Sequence, residues 1–175
     1  TKMTSIRALK RFPRTLRQRD KVLGCIPTSI QAVLTYHNGT PPTVHLGDQA
    51  RSLDESTILE IFGSNEDPFK ICFSAVKEYV LEPFIGNRFT SIVEEKPDFA
   101  DWRDLVVAQV EKSMPPLISC ASPGGSHIGA VVETDEVGFK VHDPGIGDFV
   151  SKSLGELYTI RRHDILRLEP ITPRA

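Results

Sequence analysis

GCIPTSIQAVLTYHN, residues 24–38, places a cysteine and a proline directly before a run with helical spacing. Ile30, Val33, Leu34 and His37 follow the i, i+3, i+4, i+7 pattern of one helix face, and Pro27 falls in the first turn, where its missing N–H is harmless. Asn38-Gly39 supplies the stop. Cys25 thus opens a helix, either as a nucleophile or as a small buried residue. A free thiol with a pKa of about 8.5 is mostly protonated at neutral pH. The unsatisfied N–H groups and dipole of a helix N-terminus favour its thiolate. An imidazole that takes the proton and later returns it must come from elsewhere in the chain.

Around this helix the 175 residues suit one ordinary domain, with 39% hydrophobic and 25% charged residues as in soluble globular proteins. No apolar run approaches the roughly 18 residues of a membrane span. No signal-peptide segment is visible, which favours the cytoplasm without fixing a compartment. Cys25, Cys72 and Cys120 are too few and scattered for a disulfide framework. No Cys or His pair has metal-ligand spacing, so neither metal nor organic cofactor is expected. Residues 1–21 hold eight Lys and Arg against the single acid Asp20, leaving the remainder acidic. Such an arm reads as packing on an acidic body; with no aromatic interleaving or nucleic-acid motif, nucleic acid is not an expected partner.

Further along, TPPTVHLGD reads as a loop and SLDESTILEIFGS as a helix capped by Ser52 or Asp54. Residues 68–81 read as a third helix, NRFTSIVEE as a strand, and DFADWRDLVVAQVEKS as a helix opened by Asp98 or Asp101. MPPLISCAS reads as a buried strand, and SHIGAVVETDEVGFKVHDPG as two strands around an acidic turn. A short helix near SKSLGELY, capped by Ser151 or Ser153, and a strand at HDILRLE close the chain. Helices first and antiparallel strands second predict an α+β fold.

Among the five histidines, His37 lies some three turns from Cys25, His45 sits in a loop, and His163 looks like a surface partner of Asp164. His142 alternates to the opposite side of its strand from Asp143. All four read as structural. His127 opens the apolar strand IGAVV after the turn PGGS, and Asp143 follows on the next strand. A hairpin reflecting near Asp135, with an odd turn or a bulge for which Gly138 is suited, sets 127 and 143 opposite each other on one face. Asp143 could then hold the imidazole in the tautomer that faces sulfur. The paired glycines of SPGGSH either admit a substrate backbone or simply make the turn. Cys72 and Cys120 read as small buried hydrophobes.

The order Q-x6-C-x-P-T-S, PPLISC, SHIGAVV and VHDPG, spread over residues 16–148, resembles the papain-like cysteine peptidases related to the double-glycine (bacteriocin) leader peptidases, a bacterial group. The resemblance implies a papain-like fold. It makes Cys25 the nucleophile, His127 the general base and acid, Asp143 the orienting residue, and Gln18 the donor that binds the oxyanion with the Cys25 N–H. Residues 22–170 would form the catalytic domain, between a basic arm of residues 1–21 carrying Gln18 and a tail of residues 171–175. Ile26, Gly124, Gly125 and Ser126 would line the substrate. Ile26 replaces the glycine usual after the nucleophile, and Ser29 stands where many leader peptidases place a second cysteine. The implied activity is hydrolysis of a peptide or isopeptide amide in a peptide or protein substrate through a thioester. A glutamine deamidase, an acyl transferase or an inactive binding module remains open on the same framework.

Overall fold

The computed structural model describes residues 6–96, 98–122, 125–160 and 162–171. The central helix, α2 (Cys25–Asn38), follows a short α1 (Ile6–Arg11) and ends at Gly39, whose φ of 85° lets its N–H turn back to Thr35 O. Ile30, Val33 and Leu34 are fully buried. Removing each such side chain from water stabilises the fold by about 1.5–3 kcal/mol.

The surface they bury is a six-stranded antiparallel sheet. Its strands are β3 (Phe89–Glu95), β4 (Leu117–Ser122), β5 (Gly125–Thr134), β6 (Gly138–Asp143), β7 (Asp148–Ser153) and β8 (Asp164–Pro170), in the spatial order β3-β8-β4-β5-β6-β7. Leu117, Ala130 and Leu166 pack with α2 and α3 (Glu55–Gly63) on one side. Their neighbours Ile118, Val131 and Ile165 pack with Trp102, Val106 and Val110 of α6 (Phe99–Glu111) on the other. Both faces are covered, which is why these strands read as continuous apolar runs. Asp54, Asp98 and Ser153 cap α3, α6 and α7 (Leu154–Tyr158), the last through a full capping box with Glu156. The molecule has the α+β architecture that the sequence predicts. Among the described residues no helix is long and apolar enough to cross a membrane.

Four local features differ from the sequence reading. TPPTVHLGD forms part of a hairpin, β1 (Thr43–Leu46) and β2 (Gln49–Ser52), turned by Gly47-Asp48 with Gly47 at φ 60°. Residues 68–81 are not one helix: a 3₁₀ turn at Pro68–Lys70 ends before an extended Cys72. Then α4 (Phe73–Val76) passes through a π turn, Lys77–Leu81, into α5 (Glu82–Ile85). Pro83 has no N–H for Tyr79 O, and the i−5 bond from Glu82 N to Lys77 O re-registers the helix before it. The short polar strand β7 carries little apolar signal. The β5–β6 bulge lies at Val132, between Val131 and Glu133, rather than at Gly138. Gly138 instead begins β6 where a Cβ would come within 2.0 Å of Lys152 O on β7.

Candidate active site

Three elements converge on Cys25. It is the first residue of α2, preceded by Gly24 with no side-chain cap, so the helix start is open to the thiol. His127 is the third residue of β5, and Asp143 is the last of β6. Extending the ladder beyond Ala130 and His142 by one residue sets Asp143 across from Gly129, not from His127. The face shared by positions 127 and 143 survives, because the offset is two residues and the side-chain period is two. Gly129 leaves the space between them free of a side chain. A Cβ there would lie 2.5 Å from Val141 Cγ1 and 2.6 Å from His142 O.

His127 Nε2 lies 2.5 Å from Asp143 Oδ1, both side chains about one-fifth exposed. The same carboxylate oxygen accepts the Gly145 N–H at 2.7 Å. A hydrogen bond with Cys25 most strongly raises the His127 pKa above its ordinary value; burial opposes this and the Asp143 carboxylate adds to it. Since Nε2 is engaged by Asp143, the ring nitrogen left for sulfur is Nδ1. Gly145 flanks this pair, and a Cβ on it would stand 3.0 Å from Asp143 Oδ1 and 3.5 Å from His127 Cε1.

Gln18 approaches from the N-terminal segment. Its backbone N–H donates to Pro144 O and its Nε2 donates to Asp20 O, both at 2.8 Å. A Cβ on Gly24, next to Cys25, would lie 3.0 Å from Gln18 Cβ. The segment around it is held from two sides. Glu55, buried at the start of α3, accepts the N–H groups of Arg19 and Asp20 at 2.8 Å each. His142, fully buried, directs Nε2 to Arg14 O at 3.1 Å and packs its ring on Phe12 and Phe149. Burial pushes the His142 pKa down, favouring the neutral ring. Arg14 pairs with Asp148, and Arg17 Nε donates to Gly145 O. Glu55 and Gly145 carried no functional signal in the sequence: an acid in a first helical turn and a glycine in a turn have ordinary local explanations.

Cys25 borders a groove of about 1020 Å³. Val22, Leu23, Ile26, Phe69, Ile71 and Phe73 supply much of its apolar wall. Ile26 is only 7% exposed yet lines the groove, so its side chain trims the space beside Cys25. Gly124 falls outside the described residues. Gly125 and Ser126 are already in the ladder, paired with Ser122 and Ala121, rather than in the loop expected from SPGGSH. Ser29 is fully buried in α2. Cys120 is buried and its pKa is pushed up by that burial to about 12, which keeps it a neutral thiol. Cys72, in contrast to the buried residue expected, is exposed on the groove wall, because the extended backbone between the 3₁₀ turn and α4 turns it out. His163 is no surface partner: it bonds Leu157 O and packs on Trp102 with centroids 4.8 Å apart. Among the described residues no cluster of three or more His, Cys, Asp or Glu is placed to hold a metal.

No family model matches the sequence, and no curated protein matches it. Solved structures do. A Bacillus anthracis protein described as a C39-like peptidase matches with a TM-score of 0.53 at 12% identity, over 100% of both chains. A fragment of prointerpain A from Prevotella intermedia matches with a TM-score of 0.51 at 12% identity, over 94% of this chain and 72% of that one. Such identities speak to the fold alone. The chain shares the mixed helix and antiparallel-sheet fold of C39-like, papain-like cysteine peptidases.

Proposed function

We propose that the protein is a thiol hydrolase that cleaves a peptide or isopeptide amide through an acyl-thioester on Cys25. The observation that carries this reading is the chain of contacts from Cys25 to His127 to Asp143 at a helix N-terminus on the edge of a groove. In this mechanism Asp143 holds Nε2, so that Nδ1 takes the thiol proton as sulfur attacks the carbonyl carbon. The imidazolium then protonates the departing amine, and water, deprotonated by the same nitrogen, hydrolyses the thioester. The Cys25 N–H, first in α2 and without a partner inside the helix, is one donor to the oxyanion. Gln18 Nε2 is the second: it has two hydrogens, and the one on Asp20 O fixes the amide plane.

Iodoacetamide at neutral pH tests the pairing. Cys25 should be alkylated well ahead of the exposed Cys72, and His127→Ala should remove that advantage while Cys72 keeps its rate. Labelling of Cys25 that ignores His127→Ala would refute the reading. Hydrolysis is then read on protein and peptide substrates; ammonia release without chain cleavage would reassign the same residues to a glutamine deamidase.

A further inference from the structure

The groove beside Cys25 has a built polar end. Ser119 pairs with Ile128 across β4 and β5, and Ile118 pairs with Ile165 across β4 and β8. Carrying the second pairing on by one residue brings Asp164 level with Ser119, so Ile128, Ser119 and Asp164 form one row across three adjacent strands. All three line the groove, on the side of the sheet where Leu117, Ala130 and Leu166 meet α2. The row begins beside His127 and ends at a carboxylate. Two strand spacings of about 4.8 Å make the row about 10 Å long, roughly the reach of three extended residues at about 3.3 Å each.

Among the described residues that carboxylate is short of partners. Asp164 Oδ1 is buried and accepts no hydrogen bond from any described residue. Among the described residues Oδ2 has only Arg162 Nε at 3.5 Å, on a side chain 70% exposed. Glu95 is directly opposite Asp164 in the β3–β8 ladder, a like-charge cross-strand pair that costs stability. Burial raises the Asp164 pKa, Arg162 and His163 lower it, and Glu95 raises it further. The apolar wall before it, from Ile71, Phe73 and Ile160, suits an aliphatic stem leading to a charged head.

Resting on the reading of Cys25 as nucleophile, we infer that Asp164 is a specificity-determining residue that accepts a cationic group of the substrate about three residues from the scissile carbonyl. The substrate class is a peptide carrying Lys or Arg, or its own α-amine, at that distance. The ammonium or guanidinium donates to Oδ1 and offsets the Glu95–Asp164 repulsion.

Two series of Cys25-directed probes test this in either chain direction: acetyl-Xaa-Ala-Ala chloromethyl ketones and chloroacetyl-Ala-Ala-Xaa amides, with Xaa as lysine, norleucine or glutamate. Alkylation of Cys25 is followed by mass spectrometry. In one series lysine should react about tenfold faster than norleucine, the scale of one charge-assisted hydrogen bond, with glutamate slowest. Asp164→Asn should level the three rates and Asp164→Lys should favour glutamate. An unacetylated norleucine probe that matches lysine would identify the α-amine as the natural cation. Equal rates for all three residues in both series, with Cys25 still alkylated, would overturn the role of Asp164 and leave the thiol hydrolase standing. Failure of every probe to reach Cys25 would overturn both.

Discussion

Asp143 offers the most direct lever on the site, because one of its oxygens serves both the His127 ring and the Gly145 N–H. Asp143→Asn keeps an acceptor for both and removes the charge; Asp143→Ala removes the acceptor as well. A hydrogen bond to a charged group contributes about 1.5–3 kcal/mol, against about 0.5–1.5 kcal/mol for a neutral one. The asparagine variant should therefore slow Cys25 alkylation by about tenfold, and the alanine variant by about tenfold to 150-fold. The charge also helps hold the His127 pKa above its ordinary value. A thiolate–imidazolium pair persists only while His127 keeps its proton. In both variants the lead of Cys25 over Cys72 should thus shrink most near neutral pH, and least above about pH 8.5, where a thiolate forms without an imidazolium. The assay is the rate of iodoacetamide alkylation from pH 5 to 9, resolved by peptide mapping. Exposed Cys72 serves as the internal standard, and its rate should not change. Unchanged Cys25 rates and an unshifted profile in Asp143→Ala would refute the claim that Asp143 acts on sulfur through His127.

Gln18→Ala should lower turnover of an amide substrate by about 10²–10³, the loss for one oxyanion donor of about 3 kcal/mol, while leaving Cys25 alkylation nearly unchanged; parallel slowing of both would place Gln18 elsewhere in the mechanism. Glu55→Ala leaves the Arg19 and Asp20 N–H groups without their carboxylate and should cost about 3 kcal/mol in urea denaturation; a loss under about 0.5 kcal/mol would contradict its anchoring role. Gly129→Ala should cost about 1–3 kcal/mol through contact with Val141 and His142 O, and a neutral result would show that β6 yields there at no cost. His37 is held at about 4, chiefly by burial with Arg11 adding to it and Glu169 opposing, so the unfolded chain takes up its proton first as pH falls. Its contribution to stability is present above about pH 6.5 and declines toward pH 4. His37→Gln should flatten that decline relative to the parent in denaturation midpoints measured from pH 7.5 to 4.5, and parallel curves would remove His37 as the cause.

Much of the fold was legible because its signals are local. The start and stop of α2, the caps of α3, α6 and α7 to within two candidates each, and the apolar runs of β4, β5 and β8 are each written within a few residues; the structure then selects Asp54, Asp98 and Ser153. Period-two alternation put His127 and Asp143 on one face on condition of an odd turn or a bulge; the bulge at Val132 supplies that parity, and the two-residue offset then keeps the face. Other features were hidden because their cause is distant or competing. The prolines before Thr43 masked a two-residue hairpin turn, and β7 exists mainly because β6 offers it a partner.

The sequence by itself therefore determined a helix opened by a thiol and a sheet able, given a bulge between its strands, to carry an imidazole and a carboxylate on one face, since the helix start and the strand alternation follow from short-range periodicity and capping. Tertiary structure alone decided the two-residue offset across the Val132 bulge, the anchoring of Gln18 by Pro144, with Glu55 and His142 pinning the segment around it, and the exposure of Cys72. It also brought Asp164 to the end of the groove, because a row across β5, β4 and β8 joins residues that no local pattern connects.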